Sequence, residues 1–176
     1  ISPAVKVSIG EAFNIPAGEN CEKKLVSGLK KLGFDYVFDT SFGADLTILE
    51  EVAEFAGRLK NKDKLPQFTS CCLSWVKYTE VYHPELLELI SSCKSPIGMQ
   101  CSIIKKYFAQ KKGFEPSKIV TVAITPCTAK KMEAKEYTLN IDYVLTASEV
   151  SLLLKEEEVY LNDLSDAEYD SIMGES

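Results

Sequence analysis

The sequence predicts an α/β fold, a parallel twisted β-sheet with helices on both of its faces. Three observations carry that prediction. Short apolar runs rich in Val, Ile, Phe and Tyr recur along the chain, and segments with a helical apolar period lie between them. Strand and helix therefore alternate, which is the pattern of a parallel sheet buried on both sides. At 176 residues, 45% hydrophobic and 26% charged, the chain has the size and composition of one globular unit with a real core.

Taken in order, residues 5–9 read as the first strand, VKVSI, with apolar side chains at alternate positions. Residues 21–32 carry a helical period and stop at Gly33, a residue suited to the left-handed turn that ends helices. A strand at 36–38 follows, then a long amphipathic helix over 44–59 with Asp45, Glu50, Glu51, Glu54 and Arg58 among its polar positions. Residues 67–70 form a third strand. Helices are expected at 84–90 and 97–111, the second ended by Gly113. Strands at 119–124 and 143–146 and a helix at 147–156 complete the pattern. The tail from Glu156 to Glu175 holds eight carboxylates and little core-forming pattern, so it reads as a solvated surface segment with a short helix or turn.

Composition excludes several classes. The formal net charge of −6 argues against a nucleic-acid partner. No apolar run reaches the ~20 residues that span a bilayer, and the opening residues lack a signal-like pattern. The six cysteines, Cys21, Cys71, Cys72, Cys93, Cys101 and Cys127, are too sparse for a secreted disulfide scaffold. A reducing cytoplasm is the expectation, with thiols free or used as metal ligands.

Three thiols stand at strand ends, where α/β folds gather binding groups. FTSCC closes one strand and IVTVAITPC another. Side chains alternate along an extended backbone, so Cys71 and Cys72 are expected to point apart and to differ in role. Cys127, after Pro126 and before a helix at TAKKME, would have its thiolate favoured by the helix N-terminus. These cysteines read equally as buried structural thiols. Lys130 shares a helix side with Cys127, as an anion contact or as a surface lysine. Glu51, Glu54 and Arg58 share a helix face, either as a surface ion pair or as a carboxylate chain that passes protons. His83 before Pro84 reads as capping or surface, Cys21, Cys93 and Cys101 as core, and Trp75 as a core anchor. IPAGEN lacks the pattern of a phosphate loop.

FTSCCLSWVKYTEVYHPELL and ITPCTAKKMEA together resemble the first two signature motifs of the catalytic domain of iron-only (FeFe) hydrogenases, usually TSCCPxW and MPCTxKKxE. The resemblance runs from SPAVKVSIGEAF to DSIMGES. It implies an enzyme that interconverts protons plus electrons with dihydrogen at the H-cluster. This cofactor is a 4Fe-4S cubane joined through a cysteine to a diiron unit bearing carbon monoxide, cyanide and an azadithiolate bridge. By position, Cys72 and Cys127 resemble two cubane ligands, and Cys71 the unligated thiol that hands a proton to the bridge amine. Glu51, Ser91 and Glu54 match the outward proton relay, with Arg58 near its mouth. Lys130 matches the cyanide contact, and Ser2, Pro3 and Ala4 the loop beside the diiron unit.

Leu73 and Ser74 depart from the usual residues after the cysteine pair. Thr125 replaces a methionine of the cofactor pocket, and Ile97 stands where glutamine is common. These changes touch residues around the ligands and remove none.

The resemblance also implies that residues 1–176 are the N-terminal lobe only. The second lobe, with the other two cluster cysteines, and any upstream ferredoxin-like domains are expected elsewhere in a longer protein, so the chain alone is expected apo and inactive. The implied partners are that missing C-terminal lobe, ferredoxin or another redox carrier, and maturation proteins. A homodimer through faces left bare is also implied, with no nucleic acid and no membrane. The alternative is a non-catalytic relative, either a hydrogen sensor or a cytosolic iron–sulfur assembly protein. Cys71, Glu51, Glu54, Ser91 and Lys130 occurring together favour the enzyme.

Overall fold

The computed structural model describes residues 1–136 and 140–172. The closing residues 173–176 of the sequence resemblance lie outside them. Two strands, β1 (Val122–Thr125) and β2 (Tyr143–Thr146), pair in parallel with Val122 opposite Tyr143 and Thr125 opposite Thr146. The intervening crossover holds α7 (Ala129–Glu136), the seventh of the eight α-helices among the described residues.

The other seven are α1 (Pro3–Ser8), α2 (Glu22–Lys31), α3 (Ser41–Asn61), α4 (Leu73–Tyr82), α5 (Pro96–Ile103), α6 (Ala109–Lys112) and α8 (Ala147–Glu156). A π turn over Ile104–Phe108 joins α5 to α6 as one continuous rod, which Gly113 ends at φ 71°. The expected rod over 97–111 is thus present with one wide turn inside it.

Neighbours on β1 show that both faces of the sheet are covered. Ile124 enters a core with Val5, Leu25, Leu29, Val150 and Leu154, from α1, α2 and α8. Ala123, pointing the other way, joins Ile97, Cys101, Ile141 and Val144 in a second core. A capping box at Thr146 and Glu149 turns β2 directly into α8.

The sheet is smaller than the five strands expected. Residues 5–9 are not a strand: they fall in α1 and the 3-10 turn Ile9–Phe13. Pro3 at the first turn of α1 starts that helix. Val5 and Ile9 are buried while Val7 is 42% exposed, so the burial follows a spacing of four, from Ile1 through Val5 and Ile9 to Phe13. Residues 36–38 form no ladder of their own. Residues 67–70 contribute one parallel bridge, Phe68 to Ile90. Of the expected strands, 143–146 is met in full and 119–124 from residue 122. Residues 84–90 form a 3-10 segment, Pro84–Leu89.

The tail also differs from expectation. Val159, Leu161 and Leu164 are buried, and the Val37 N–H donates to the Asp170 carboxylate at 2.8 Å. The acidic segment is a strap across α2 because Val159, Leu161, Leu164 and Ile172 turn inward, while Tyr160 stays exposed.

α3 packs against α5 at short range. Gly43 permits it, since a Cβ there would lie 2.3 Å from the Pro96 carbonyl oxygen. The outer side of α3 exposes Ile48, Val52, Phe55 and Leu59. No helix among the described residues is long and apolar enough to cross a membrane.

Candidate functional site

The cysteine pair is held by backbone pairing before it. The Phe68 N–H donates to the Leu89 carbonyl at 2.9 Å, and the Ser91 N–H to the Phe68 carbonyl at 2.7 Å. Ser70 Oγ donates to the Cys93 carbonyl at 2.5 Å. Cys72 then caps α4 in an extended conformation, φ −102° and ψ 106°. Cys71 is half-buried and Cys72 exposed, so the two neighbouring thiols do have different surroundings. Leu73 is buried as the first residue of α4, where it walls a cavity of about 230 Å³ with Ser91, Cys93, Ser95 and Glu133.

Cys127 is exposed in the turn between β1 and α7. Its N–H donates to Thr125 Oγ1 at 3.4 Å, and Thr125 is buried at the end of β1. The Ser2 N–H donates to the Ile124 carbonyl at 2.8 Å, which seats residues 2–4 beside the same strand end, with Pro3 and Ala4 exposed. Ile97 lies in the second core.

Lys130 ties the two cysteine loops together. Its ammonium donates to the Cys71 carbonyl at 2.6 Å and to Glu133 Oε2 at 2.5 Å. Only 12% of its side chain is exposed, so this is no surface lysine. Glu133, buried at 4%, also accepts from Ser95 Oγ, the residue that caps α5. Sequence reasoning missed Glu133. Its signal was the lysine one helical turn earlier, a spacing that puts both on one face.

The residues expected to form an outer relay lie on α3 and the 90–93 segment. Ser91 Oγ donates to Glu54 Oε2 at 2.6 Å, and Arg58 Nη2 to Glu54 Oε1 at 2.7 Å. Arg58 further donates to the carbonyls of Leu89 and Ile90 at 2.9 Å and of Lys64 at 3.1 Å. Cys93, expected in the core, is instead half-buried on this chain, with Sγ 3.9 Å from Glu54 Oε2. Burial pushes its thiol upward in pKa, and the neighbouring Glu54 carboxylate adds to that.

Glu51 is not joined to the other relay residues by any hydrogen bond among the described residues, and its Oε1 is buried without a protein partner. The nearest polar contact of the Cys71 thiol is Thr69 Oγ1, at 4.0 Å. The hydrogen-bonded chain therefore runs from Ser91 to Arg58 and stops short of Cys71.

Burial alone would push the Glu54 carboxyl up. The donors Ser91, Arg58 and the Ser92 N–H outweigh it and hold the carboxyl below its ordinary value. A carboxyl with a depressed folded-state pKa stabilises the fold above its unfolded value, about 4.3, and loses that contribution as pH falls through the folded value. Glu54→Gln is accordingly expected to flatten the acid limb of the stability curve below about pH 4.3. Circular dichroism against pH checks this, and an unchanged acid limb contradicts it.

The remaining candidates behave as packing groups. Cys21 and Cys101 are buried, and burial pushes the Cys101 thiol up to about 11. His83 is exposed between Tyr78 and Glu85. Trp75 is half-buried rather than a core anchor, edge-on to Phe68 and stacked on Tyr78.

Cys72 and Cys127 are both free thiols at helix N-termini, on loops that Lys130 holds together. Iron–sulfur clusters are held by cysteine sulfurs, and two exposed cysteines on loops tied to each other fit half of a four-cysteine set. Among the described residues no three of His, Cys, Asp and Glu converge on a metal position. Parallel strands joined through a helical crossover, with helices packed on both faces of the sheet, define an α/β domain that carries exposed cysteines just before two of its helices.

The chain belongs to the family described as "Iron only hydrogenase large subunit, C-terminal domain", whose model matches residues 1–176. It is 44% identical over 99% of its length to the periplasmic [Fe] hydrogenase large subunit of Nitratidesulfovibrio vulgaris, covering 44% of that protein. It is 36% identical to the cytosolic Fe-S cluster assembly factor narfl of Danio rerio, covering 98% of this chain and 45% of that one. The solved structure of apo [FeFe]-hydrogenase HydA1 from Chlamydomonas reinhardtii, variant C377H, superposes with a TM-score of 0.93 at 42% identity, over 99% of this chain and 46% of that one. The chain thus spans less than half the length of these relatives.

Proposed function

We propose that this chain is the N-terminal lobe of the catalytic domain of an enzyme that interconverts protons and electrons with dihydrogen. The supporting observation is the half-buried hydrogen-bonded chain Ser91–Glu54–Arg58, in a domain that also carries two exposed thiols on loops gripped by Lys130. A protein that only held a cluster has no use for a carboxylate chain that can carry protons.

In this reading Cys72 and Cys127 supply two thiolate ligands to a 4Fe-4S cluster, and a second lobe of the same polypeptide supplies the other two. When bound, the H-cluster would supply the redox-active metal centre for hydrogen chemistry. Cys71 would hold a proton at its Sγ and deliver it to the bound cofactor. Glu51, Ser91 and Glu54 move protons between Cys71 and solvent, with Arg58 fixing the Glu54 carboxylate. Lys130, whose ammonium holds the Cys71 carbonyl and Glu133, would also donate a hydrogen bond to a cyanide of the bound cofactor. Ser2, Pro3, Ala4, Thr125 and Ile97 form or support the pocket wall. A redox carrier such as ferredoxin supplies electrons, and maturation proteins build the cofactor.

The second reading, an iron–sulfur assembly factor, draws on the narfl similarity. One experiment separates the two. In the full-length protein, Cys71→Ala is expected to keep the cubane signal in electron paramagnetic resonance. Turnover should fall about 100-fold or more, the scale for losing a positioned acid. Loss of the cubane signal itself would assign the ligand role to Cys71. Full turnover in the variant would remove the proton-carrier role.

A further inference from the structure

The rings on α4 form a continuous aromatic run. Trp75, the single tryptophan of the chain, lies edge-on to Phe68 with ring centres 5.6 Å apart. It stacks on Tyr78 at 6.2 Å, with 24° between the planes. Tyr78 in turn meets Tyr82 at 5.1 Å and His83 at 5.4 Å. Positions 75, 78 and 82 are spaced three and four apart, so their rings share one helix face. The run begins one helical turn after Cys72, the residue that caps α4. It ends at the surface, where Tyr78 is 48% and Tyr82 67% exposed.

Packing accounts for the ring contacts but not for the polar end of the run. The Tyr78 hydroxyl lies 3.3 Å from His83 Nε2, and His83 Nδ1 lies 3.1 Å from Glu85 Oε1. A single neutral tautomer satisfies both contacts: Tyr78 O–H donates to Nε2, and Nδ1–H donates to the carboxylate. The chain path sets this up. α4 ends at Tyr82, and Pro84 starts the 3-10 segment that carries Glu85 back beside the ring. Its own backbone N–H and the His83 ring hold the Glu85 carboxyl below its ordinary value.

A phenol gives up an electron readily only if its proton leaves with it, because the oxidised phenol is a strong acid. An imidazole already bonded to the phenol takes that proton across one hydrogen bond, and a carboxylate on its far nitrogen steadies the imidazolium. Tyr78 has both groups in line. Tyr169 is the contrast, since its buried hydroxyl has no hydrogen-bond partner among the described residues.

We propose that Trp75, Tyr78, His83 and Glu85 form an escape path for oxidising equivalents, moving a one-electron hole from the Cys72 end of α4 to the surface. The oxidant is an oxygen-centred radical of the peroxyl class. It takes one electron from the Trp75 indole and becomes a peroxide anion. Tyr78 returns an electron to the indole as its O–H bond breaks and an N–H bond forms at His83 Nε2. The products are a neutral tyrosyl radical, an imidazolium and the peroxide anion, so atoms and charge balance. A dissolved reductant of the ascorbate class then refills the exposed phenol, and His83 gives the proton back. The inference stands independently of the hydrogenase reading.

Laser flash photolysis of the full-length protein, prepared without metal, tests it with a photo-oxidised ruthenium bipyridine complex as the one-electron oxidant. An indole radical signal is expected to pass into a tyrosyl signal. In Tyr78→Phe that tyrosyl signal should be lost and the indole radical should persist. In Trp75→Phe the indole phase that feeds Tyr78 should be lost. In His83→Gln the tyrosyl rise should slow by about 100-fold, the lower end of what a positioned base contributes. Circular dichroism confirms that each variant is folded. A tyrosyl signal of full amplitude in Tyr78→Phe overturns the proposal, because another tyrosine then carries the hole. So does an unchanged rise in His83→Gln, which would leave the imidazole no part in taking the proton.

Discussion

Glu133→Leu is expected to cost about 3–5 kcal/mol of stability, the scale for stranding one partner of a buried ion pair. The mechanism lies in the surroundings. Lys130 and Glu133 expose only 12% and 6% of their side chains, so neither charge can recover water when its partner goes. Leucine leaves the ammonium with the Cys71 carbonyl alone and removes the acceptor of the Ser95 hydroxyl. Glu133→Gln keeps an oxygen and a similar shape, so it should cost clearly less. The double variant Lys130→Met with Glu133→Leu should recover much of the loss, because a buried pair exchanged for apolar groups is often neutral. Urea denaturation of the parent, Lys130→Met, Glu133→Leu and the double variant closes a double-mutant cycle. A leucine variant within about 0.5 kcal/mol of the parent, the range of plain surface substitutions, contradicts the buried-pair account.

Gly43→Ala should also destabilise strongly, by about 3 kcal/mol, the upper end of overpacking. The new Cβ would lie 2.3 Å from the Pro96 carbonyl oxygen and 3.0 Å from Gln100 Cβ. The first of these is backbone at the start of α5, which cannot rotate aside, so α3 and α5 must separate. Alanine gains up to about 1 kcal/mol of helix propensity over glycine, too little to offset the clash. For a domain of this size the net loss should lower Tm by about 6–10 °C. Calorimetry measures it, and faster amide exchange along both helices would locate it. A variant melting at or above the parent temperature would mean that the two helices can move apart freely.

Much of the helical layer was legible in the sequence because its signals are local. Gly33 and Gly113 mark helix ends at φ 94° and 71°, and residues 147–156 carry both their apolar period and their cap. The error at residues 5–9 has a physical origin. VKVSI satisfies a period of two and a period of four together, and only the partners of Val7 decide between them. Residues 36–38 have strand composition, yet among the described residues their backbone meets Ile1 and Asp170 rather than a second strand. The cysteine loops and the group Ser91, Glu54 and Arg58 were picked out by position, and the structure joins the last three by hydrogen bonds. The burial of Lys130 and its bond to Glu133 were not, because they arise where α4, α5 and α7 meet from distant stretches of chain. The placement of Cys93 on the relay has the same cause. Its neighbour Glu54 is far away in sequence.

The contact of Lys130 with the Cys71 carbonyl has a mechanical side. Ser95 caps α5, Glu133 and Lys130 lie on α7, and Cys71 leads into α4, so three rigid rods share one run of short polar contacts. A tilt of any rod loads the other two, and the thiol loop cannot drift alone. The stiffness of this corner is thus set by two side chains one helical turn apart rather than by the loop itself. Slackening either one would be felt at the α5 cap as a change in its motion before any change in its mean position.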